Sequence, residues 1–288
     1  MLYSGLRSVP QSFNVIAGTA QTIIGANGTV FNFYPNSFKD ENGHTITTGT
    51  VNIQITEMTK PGEMIANHTN TMAYGLLLQS GGEVNITASM NGKNVSPNRY
   101  GIGFPQTNPS IKPMELFYGM PGEMQTASLV GSTVINWNIA DTSKKGSTVN
   151  GTNNDSVSYY SPKYSFYYLF DSCTNFNWIN CDHFYGDPTT SMNINIVVPD
   201  NSFDNTNTQI YIVYPSINST QKFSGTYNKL THAFNNPGIK IPNGMTIEIV
   251  VLAYKKDSYY YYDKTGIPTN GMSVNADLIT DTKDDIIT

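Results

Sequence analysis

The sequence predicts an all-β protein made of two β-sandwich-like domains with little helix. Apolar and polar residues alternate along many short segments, as they do in half-buried antiparallel strands. Asn-Gly and Gly-Gly pairs separate these segments, and such pairs suit tight hairpin turns. Only 13% of the residues are charged, against about 25% in typical domains. The Glu and Lys pairs of long soluble helices are therefore scarce.

The clearest strands lie in the first half. In VNIQITEM every second residue is apolar, and in VNITASM the alternation continues up to the turn predicted at Asn91-Gly92. Further strands are expected in INIVV, QIYIVY and TIEIVVLAY. The pair Gly81-Gly82 is expected to reverse the chain. Helix is expected only as a short segment within the C-terminal DLITDTKDDIIT or near residues 171–176.

A polar stretch divides the chain. Residues 141–157 are rich in Gly, Asn and Ser and show no periodicity, as expected of a linker or a long loop. We therefore predict one β-sandwich domain over residues 1–140 and a second over residues 158–288, both of ordinary domain size. The predicted core of the first domain includes eight apolar residues: Phe31, Phe33, Phe38, Leu76, Leu78, Met114, Leu116 and Phe117.

Composition and charge narrow the possible partners and locations. The chain of 288 residues has a net charge of −5 and no basic stripe, which argues against binding to nucleic acid. It has no apolar run of about 18 residues, so no membrane-spanning helix is predicted. The first residues lack the pattern of a signal peptide. Either the protein is cytoplasmic or an export signal has been removed, and the polar, weakly charged composition favours the second, an extracytoplasmic protein.

The stretch WINCDHFYG is the strongest candidate for a catalytic or metal site, because it places Cys181, Asp182 and His183 side by side. On a strand, Cys181 and His183 share one face and Asp182 lies on the other. A metal site needs three or four converging ligands, and the spacing here supports none. A nucleophilic thiol needs a base and an oxyanion hole, which nothing links to Cys181. We therefore predict no catalytic residue, metal ligand or cofactor. Cys173 and Cys181 are expected either to form a disulfide or to remain buried thiols.

Two segments are dense in tyrosine, SYYSPKYSFYYLF and SYYYYDK. A tyrosine ring has an apolar face and a polar tip, which suits carbohydrate stacking and protein interfaces. Tyrosine is also common on half-exposed strands, so a structural explanation is open as well. The candidate binding residues are Tyr159, Tyr160, Tyr167, Tyr259, Tyr260, Tyr261 and Tyr262.

Carboxylates provide a further hypothesis. A glycoside hydrolase needs two acids that face each other across a cleft. The possible members of such a pair are Glu57, Glu63, Glu83 and Glu115, and the sequence does not pair them. The aspartates near the C-terminus lack the spacing of a calcium-binding loop.

The first half also carries an ordered set of motifs, GTVFNFYPNSF, GTVNIQITEM, LLLQSGG and MELFYG, followed by a tryptophan. Over roughly residues 12–137 this order resembles the ZU-five-like domain of ankyrins and netrin receptors. It is more similar to that domain's relatives in exported lipoproteins of Bacteroidetes bacteria. The second half, with FNWINCDHF and IPNGMTIEIVVLAY, resembles the β-domain that follows in those proteins. The resemblance implies an all-β fold, a location in the periplasm or at the outer-membrane surface, and a lipid anchor on an upstream cysteine.

These observations predict a non-catalytic exported cell-envelope protein, a surface-associated module for binding, adhesion or structure. The expected partner is a protein or polysaccharide at the cell surface. Membrane contact is expected only through the lipid anchor, and nucleic acid is not an expected partner. The first alternative is a carbohydrate-binding module that uses the tyrosine-rich strands. A carboxylate-dependent hydrolase is less favoured.

Overall fold

The structure, a computed structural model, describes residues 2–106, 112–121, 135–140, 147–150 and 166–283, and these are mostly β-structure. It has two short α-helices, α1 (Leu2–Leu6) and α2 (Pro61–Ala66), and a 3-10 turn at Pro215–Ile217. The strands up to Phe184 are β1 (Gln11–Ile16), β2 (Gln21–Ile24), β3 (Val30–Phe33), β4 (Phe38–Lys39), β5 (Thr45–Ile46), β6 (Thr50–Met58), β7 (Met72–Ala73), β8 (Leu76–Met90), β9 (Lys93–Asn94), β10 (Ser96–Pro97), β11 (Tyr100–Gln106), β12 (Glu115–Pro121), β13 (Ile135–Ile139), β14 (Ser147–Asn150), β15 (Phe166–Cys173) and β16 (Asn177–Phe184). The remaining strands are β17 (Thr189–Val197), β18 (Thr208–Tyr214), β19 (Ser219–Lys222), β20 (Thr226–Asn228), β21 (Ala233–Pro242), β22 (Ile247–Lys255), β23 (Ser258–Gly266), β24 (Met272–Asn275) and β25 (Ile279–Asp281). The predicted all-β, sandwich-like fold is confirmed.

The first core lies between two sheets. One has the order β1-β6-β8-β16-β12-β13, with β7 and β9 also paired to β8, and the other has the order β14-β15-β11-β3-β2. Ile53 and Ile86 of the first sheet join the same apolar cluster as Phe31 and Ile102 of the second. A small sheet, β10-β4-β5, completes this half. Of the eight core residues predicted from the sequence, seven are buried, and the prediction is wrong for Leu76, which is 52% exposed near the start of β8.

The second core has the same arrangement. A sheet of order β20-β21-β17-β24 faces a sheet of order β19-β18-β22-β23-β25. Ile194 and Ile239 of the first of these pack with Ile212 and Ile249 of the second. Because side chains alternate along a strand, the other face of each sheet is left for solvent or for neighbouring segments.

Strands β15 and β16 follow the predicted linker in sequence but pair within the first two sheets. Strand β16 lies between β8 and β12, and β15 lies between β14 and β11. The chain therefore moves from the first pair of sheets to the second after Phe184. The assignment of residues 1–140 and 158–288 as domains stays a prediction, and most of the linker at 141–157 lies outside the described residues.

The predicted reversal at Gly81-Gly82 is wrong, because β8 continues through both glycines. The register between β8 and β16 shifts between Asn180 and Asp182, so the two glycines lie opposite the single residue Cys181. This is a β-bulge, which inserts one extra residue into a strand. A Cβ atom on Gly81 would lie 2.9 Å from the carbonyl oxygen of Cys181, so the bulge requires glycine there.

The helix predicted near residues 171–176 is wrong, because residues 171–173 belong to β15. In the C-terminal segment residues 279–281 form β25 and Lys283 is helical, while residues 284–288 lie outside the described part, so that helix stays a prediction. The unpredicted helix α2 does have a sequence signal. Pro61 occupies its first turn, and the Glu63 carboxylate accepts a hydrogen bond from the Lys60 N–H at 3.1 Å. Within the described residues, no helix has the length and hydropathy of a membrane span.

Candidate functional site

Strand β16 places Cys181 and Asp182 on opposite faces of the sheet, as the alternation predicts. Cys181 packs into the first core and is 0% exposed. Asp182 points to the opposite face of the sheet, beside Asn180. The Nδ1 atom of His183 lies 3.0 Å from the Phe184 carbonyl oxygen, and burial lowers the pKa of this imidazole. Cys181, Asp182 and His183 are thus not brought together as one site.

Both cysteines are buried thiols, which decides between the two possibilities left open by the sequence. Cys173 on β15 and Cys181 on β16 are each 0% exposed, and no disulfide joins them. Burial, reinforced by the nearby Asp182, raises the pKa of the Cys181 thiol. A buried thiol with a raised pKa is a poor nucleophile, since the thiolate is the reactive form.

We expect neither Cys173 nor Cys181 to react with the disulfide reagent DTNB in the folded protein, and both to react once guanidinium unfolds it. The reason is that a thiol must be solvent-accessible and ionised to attack the reagent. A Ser191→Cys variant is the control, because Ser191 is exposed on β17 and should give one fast-reacting equivalent. Rapid labelling of the unsubstituted folded protein would contradict the buried placement.

Asp182 forms a buried acidic pair with Glu83 of β8. Both side chains are 0% exposed. The Thr69 hydroxyl donates to Glu83 Oε2 at 2.5 Å, and Asn180 Nδ2 donates to Asp182 Oδ2 at 2.5 Å. Within the described residues, Glu83 Oε1 and Asp182 Oδ1 have no hydrogen-bond partner. Burying an ionised carboxylate that has an oxygen without a hydrogen-bond partner costs free energy. The site therefore favours protonated carboxyl groups.

The electrostatics of the buried acidic pair follow from its enclosure. Burial, and secondarily the charge of Asp182, raises the pKa of Glu83. Burial raises the pKa of Asp182 to about 8, against the opposing effect of hydrogen bonds from Ser80 and Asn180. Both shifts favour the protonated form of these carboxyl groups. A general base in a hydrolase has to reach the water or substrate that it activates, and both side chains of the buried acidic pair are enclosed in protein.

Residues 67–71, with the sequence NHTNT, cover the buried acidic pair. All five are polar, and none is more than 6% exposed. Thr69 contacts Glu83, and the indole N–H of Trp137 donates to the carbonyl oxygen of Asn70. A run of five polar residues resembles an exposed loop, so sequence reasoning missed this segment. The backbone at His68, with φ of 60°, is in the left-handed region and bends the segment inward.

The same segment continues into a contact between the two halves of the protein, which we call the junction: Thr71, Leu78, Ser219 and Thr220. The Thr71 N–H donates to the Thr220 carbonyl at 2.8 Å, and the Thr220 N–H donates to Thr71 Oγ1 at 2.7 Å. The hydroxyls of Thr71 and Ser219 are hydrogen-bonded to each other. The Ser219 hydroxyl also lies 2.5 Å from the Leu78 carbonyl oxygen. All four residues are completely buried.

His68 lies in a second polar group that holds α1. Its ring stacks on Tyr3 with centroids 4.1 Å apart, and its Nε2 atom is 3.5 Å from Lys222 Nζ. The hydroxyls of Tyr3 and Tyr211 are 2.5 Å apart. Burial lowers the pKa of His68 to about 3 and that of Lys222 to about 8. At neutral pH the imidazole is therefore uncharged and accepts a hydrogen bond from the lysine ammonium group.

The structure gives packing partners to the tyrosines that it describes among the candidate binding residues. Tyr167 is 1% exposed. Tyr259 and Tyr261 pack beside α1, while their neighbours Tyr260 and Tyr262 pack against the second core. All four side chains are half-buried. Each packs against the protein on its own face of β23, so part of each ring is covered. Tyr159 and Tyr160 lie outside the described residues, and a binding role for the whole set stays a prediction.

The other acids of the hydrolase hypothesis are engaged locally. The Glu57 carboxylate accepts hydrogen bonds from the backbone N–H groups of Asn27 and Thr29, both at 2.9 Å, and so fixes that turn. Glu63 lies in the first turn of helix α2, where its carboxylate accepts the Lys60 N–H. Glu115 lies opposite Asp182 in the pairing of β12 with β16 and is half-buried. Among the described residues, no three His, Cys, Asp or Glu side chains are grouped so that they could hold a metal ion.

No protein-family model matches this chain, and no curated protein matches it. The resemblance to ZU-five-like proteins therefore stays a prediction. The same holds for the lipid anchor and the extracytoplasmic location that the resemblance implies.

Proposed function

We propose that this chain is a non-catalytic binding module of the bacterial cell envelope, exported and anchored through a lipid on an upstream cysteine. The observation that carries the proposal is the placement of the reactive groups. Cys181, Glu83 and Asp182 are each 0% exposed, and they pack or hydrogen-bond inside the sheets. The low content of charged residues, 13% of the chain, supports a role outside the cytoplasm.

The partner on this proposal is a protein or a polysaccharide at the cell surface. Recognition by a β-protein of this kind uses side chains that strands and loops hold in fixed positions, which lowers the entropy cost of binding. The tyrosine-rich strands remain the alternative recognition surface. The packing of Tyr259 and Tyr261 beside α1 leaves only part of each ring for a ligand.

The location is tested by fractionating the native cells and probing each fraction with an antibody against this chain. We expect the protein in the envelope fraction, and we expect treatment of intact cells with protease to remove it if it faces outward. Recovery of the protein in the cytosol would contradict the proposal.

The non-catalytic assignment is tested with chromogenic glycosides, esters and peptides. We expect no turnover by the purified full chain. Hydrolysis that is lost in a Glu83→Gln variant, but kept in a Glu41→Gln variant at an exposed position, would overturn the proposal. That pattern would show that the buried acidic pair acts on a substrate.

A further inference from the structure

The outer face of the sheet β20-β21-β17-β24 carries a row of uncharged polar side chains. The inner face of this sheet packs into the second core through residues such as Ile194 and Ile196. The register places one residue from each strand at the same level across the outer face. In order across the sheet these are Thr226, Asn235, Asn195 and Ser273.

A shallow pocket of about 120 Å³ opens beside this row. It lies where the pairing of β17 with β21 shifts register after Met192. Such a bulge turns side chains out of their regular positions and is frequent next to binding sites. Four asparagines and two apolar side chains line most of it: Asn193, Asn195, Asn235, Asn236, Pro237 and Met272.

Two of these amides are held in place by the protein. Asn195 Nδ2 donates to the Ser273 hydroxyl at 3.0 Å. Asn236 Nδ2 donates to the Ser224 carbonyl at 3.2 Å, and its Oδ1 accepts from the Gly238 N–H at 3.2 Å. These contacts fix part of the pocket wall before any ligand arrives, which lowers the entropy cost of binding.

The other two amides are available to a ligand. Within the described residues, the side-chain amides of Asn193 and Asn235 make no hydrogen bond. The backbone of Asn193 is nevertheless anchored, because its N–H donates to Asn270 Oδ1 at 2.9 Å and its carbonyl accepts from the Gly271 N–H at 2.9 Å. Each side-chain amide offers two N–H donors and one carbonyl oxygen as an acceptor.

We propose that this amide pocket binds a sugar unit of a neutral polysaccharide. This inference rests on the proposed function and adds the site and the ligand class. An asparagine amide pairs a donor with an acceptor, and adjacent sugar hydroxyls need both. The apolar surface of Pro237 suits the C–H face of a sugar ring, together with the part of Met272 that lines the pocket and is not packed against the second core. Every lining residue is uncharged, which favours a neutral glycan over an acidic or phosphorylated one.

The size of the pocket limits the affinity. Its volume of about 120 Å³ is below the range of roughly 300–1,000 Å³ that encloses drug-sized ligands. One sugar unit therefore contributes few contacts, and we expect dissociation constants near 1 mM for a monosaccharide. Retention of a polymer is stronger, because each chain carries many copies of the unit.

The test is affinity electrophoresis of the full chain through gels that contain a neutral mannan, a neutral β-glucan or an acidic polyuronate. We expect at least one neutral polymer to retard the protein. An Asn193→Asp/Asn235→Asp double variant should lose at least tenfold in apparent affinity, because it replaces amide donors with negative charge. The matched control is Asn175→Asp, the same change at an exposed position in the other half. Thermal denaturation checks that all variants fold.

A second readout places the ligand directly. The methyl ¹³C resonance of Met272, assigned with a Met272→Leu variant, should shift when the retarding polymer is added. If neutral polymer binding survives in the double variant and this resonance does not move, the pocket assignment is wrong and the proposed function stands. If the chain binds only acidic polymers or proteins, the ligand class is wrong. If it binds no polymer and no envelope protein, the proposed function fails too.

Discussion

The stability of this protein should fall as the pH rises from about 5 to about 8, and an Asp182→Asn substitution should remove much of that fall. Unfolding exposes Asp182, which then ionises near its ordinary pKa of about 4. In the folded protein burial raises the pKa of Asp182 to about 8. Between these values the folded state binds more protons than the unfolded state. The contribution of the protonated Asp182 to the unfolding free energy is therefore complete below about pH 4 and is lost as the pH rises towards 8.

The expected size of this effect is large because the carboxyl group is completely buried. Each unit of pH within the window costs about 1.4 kcal/mol for one such group. Glu83 adds a contribution of the same sign, since burial raises its pKa as well. Asparagine has the shape of the protonated carboxyl group and keeps a carbonyl oxygen for the hydrogen bond from Asn180. We expect Asp182→Asn to be more stable than the unsubstituted protein by ~2–4 kcal/mol at pH 8.

The measurement is guanidinium unfolding at pH 5 and pH 8 for both proteins. The informative quantity is the difference in unfolding free energy between them, since groups that do not interact with Asp182 affect both proteins equally. Glu83 does interact with Asp182, so its change belongs to the measured difference. Asp277→Asn is the control, because Asp277 is exposed and its substitution should give nearly the same small difference at both pH values. An Asp182→Asn difference that does not change with pH would show that Asp182 is ionised in the folded state.

The strands of both cores could be predicted from local pattern. The alternation in residues 51–58 and 84–90 gives strands β6 and β8, and Asn91-Gly92 makes the predicted two-residue turn between β8 and β9. Both turn residues have positive φ, 52° and 76°, which is the property that favours Asn-Gly there. Period-two patterns report which side of a strand is buried, and this information is local.

The partners of these strands could not be predicted in the same way. Strand β16 pairs with β8, about 90 residues earlier in the sequence, and nothing in either segment specifies the other. The bulge at Gly81-Gly82 was missed because paired glycines suit both turns and bulges. The bulge affects the buried acidic pair, because it sets the register that places Glu83 opposite Asn180. The burial of residues 67–71 depends on this pairing and on the second half of the chain.

The second large effect is expected at the junction, where Thr71→Val should destabilise the protein by ~2–3 kcal/mol. Valine has nearly the volume of threonine, so the substitution opens no cavity and removes only the hydroxyl. The Thr220 N–H, which is buried, then loses its acceptor at 2.7 Å, and the Ser219 hydroxyl loses one of its partners. A buried donor without an acceptor carries its full desolvation cost, because water cannot reach it.

The design compares Thr71→Val, Ser219→Ala, the double variant and the control Thr189→Val, in which the same hydroxyl is lost at an exposed position. Urea unfolding should show a cost for Thr71→Val well above that of the control. The two junction substitutions should also be non-additive, because each residue loses a contact with the other. A Thr71→Val cost within ~0.5 kcal/mol of the control would mean that the hydroxyl network does not stabilise the contact. The halves would then be held together by their other contacts, among them the apolar contacts of Ile65 and Leu77 with the second half.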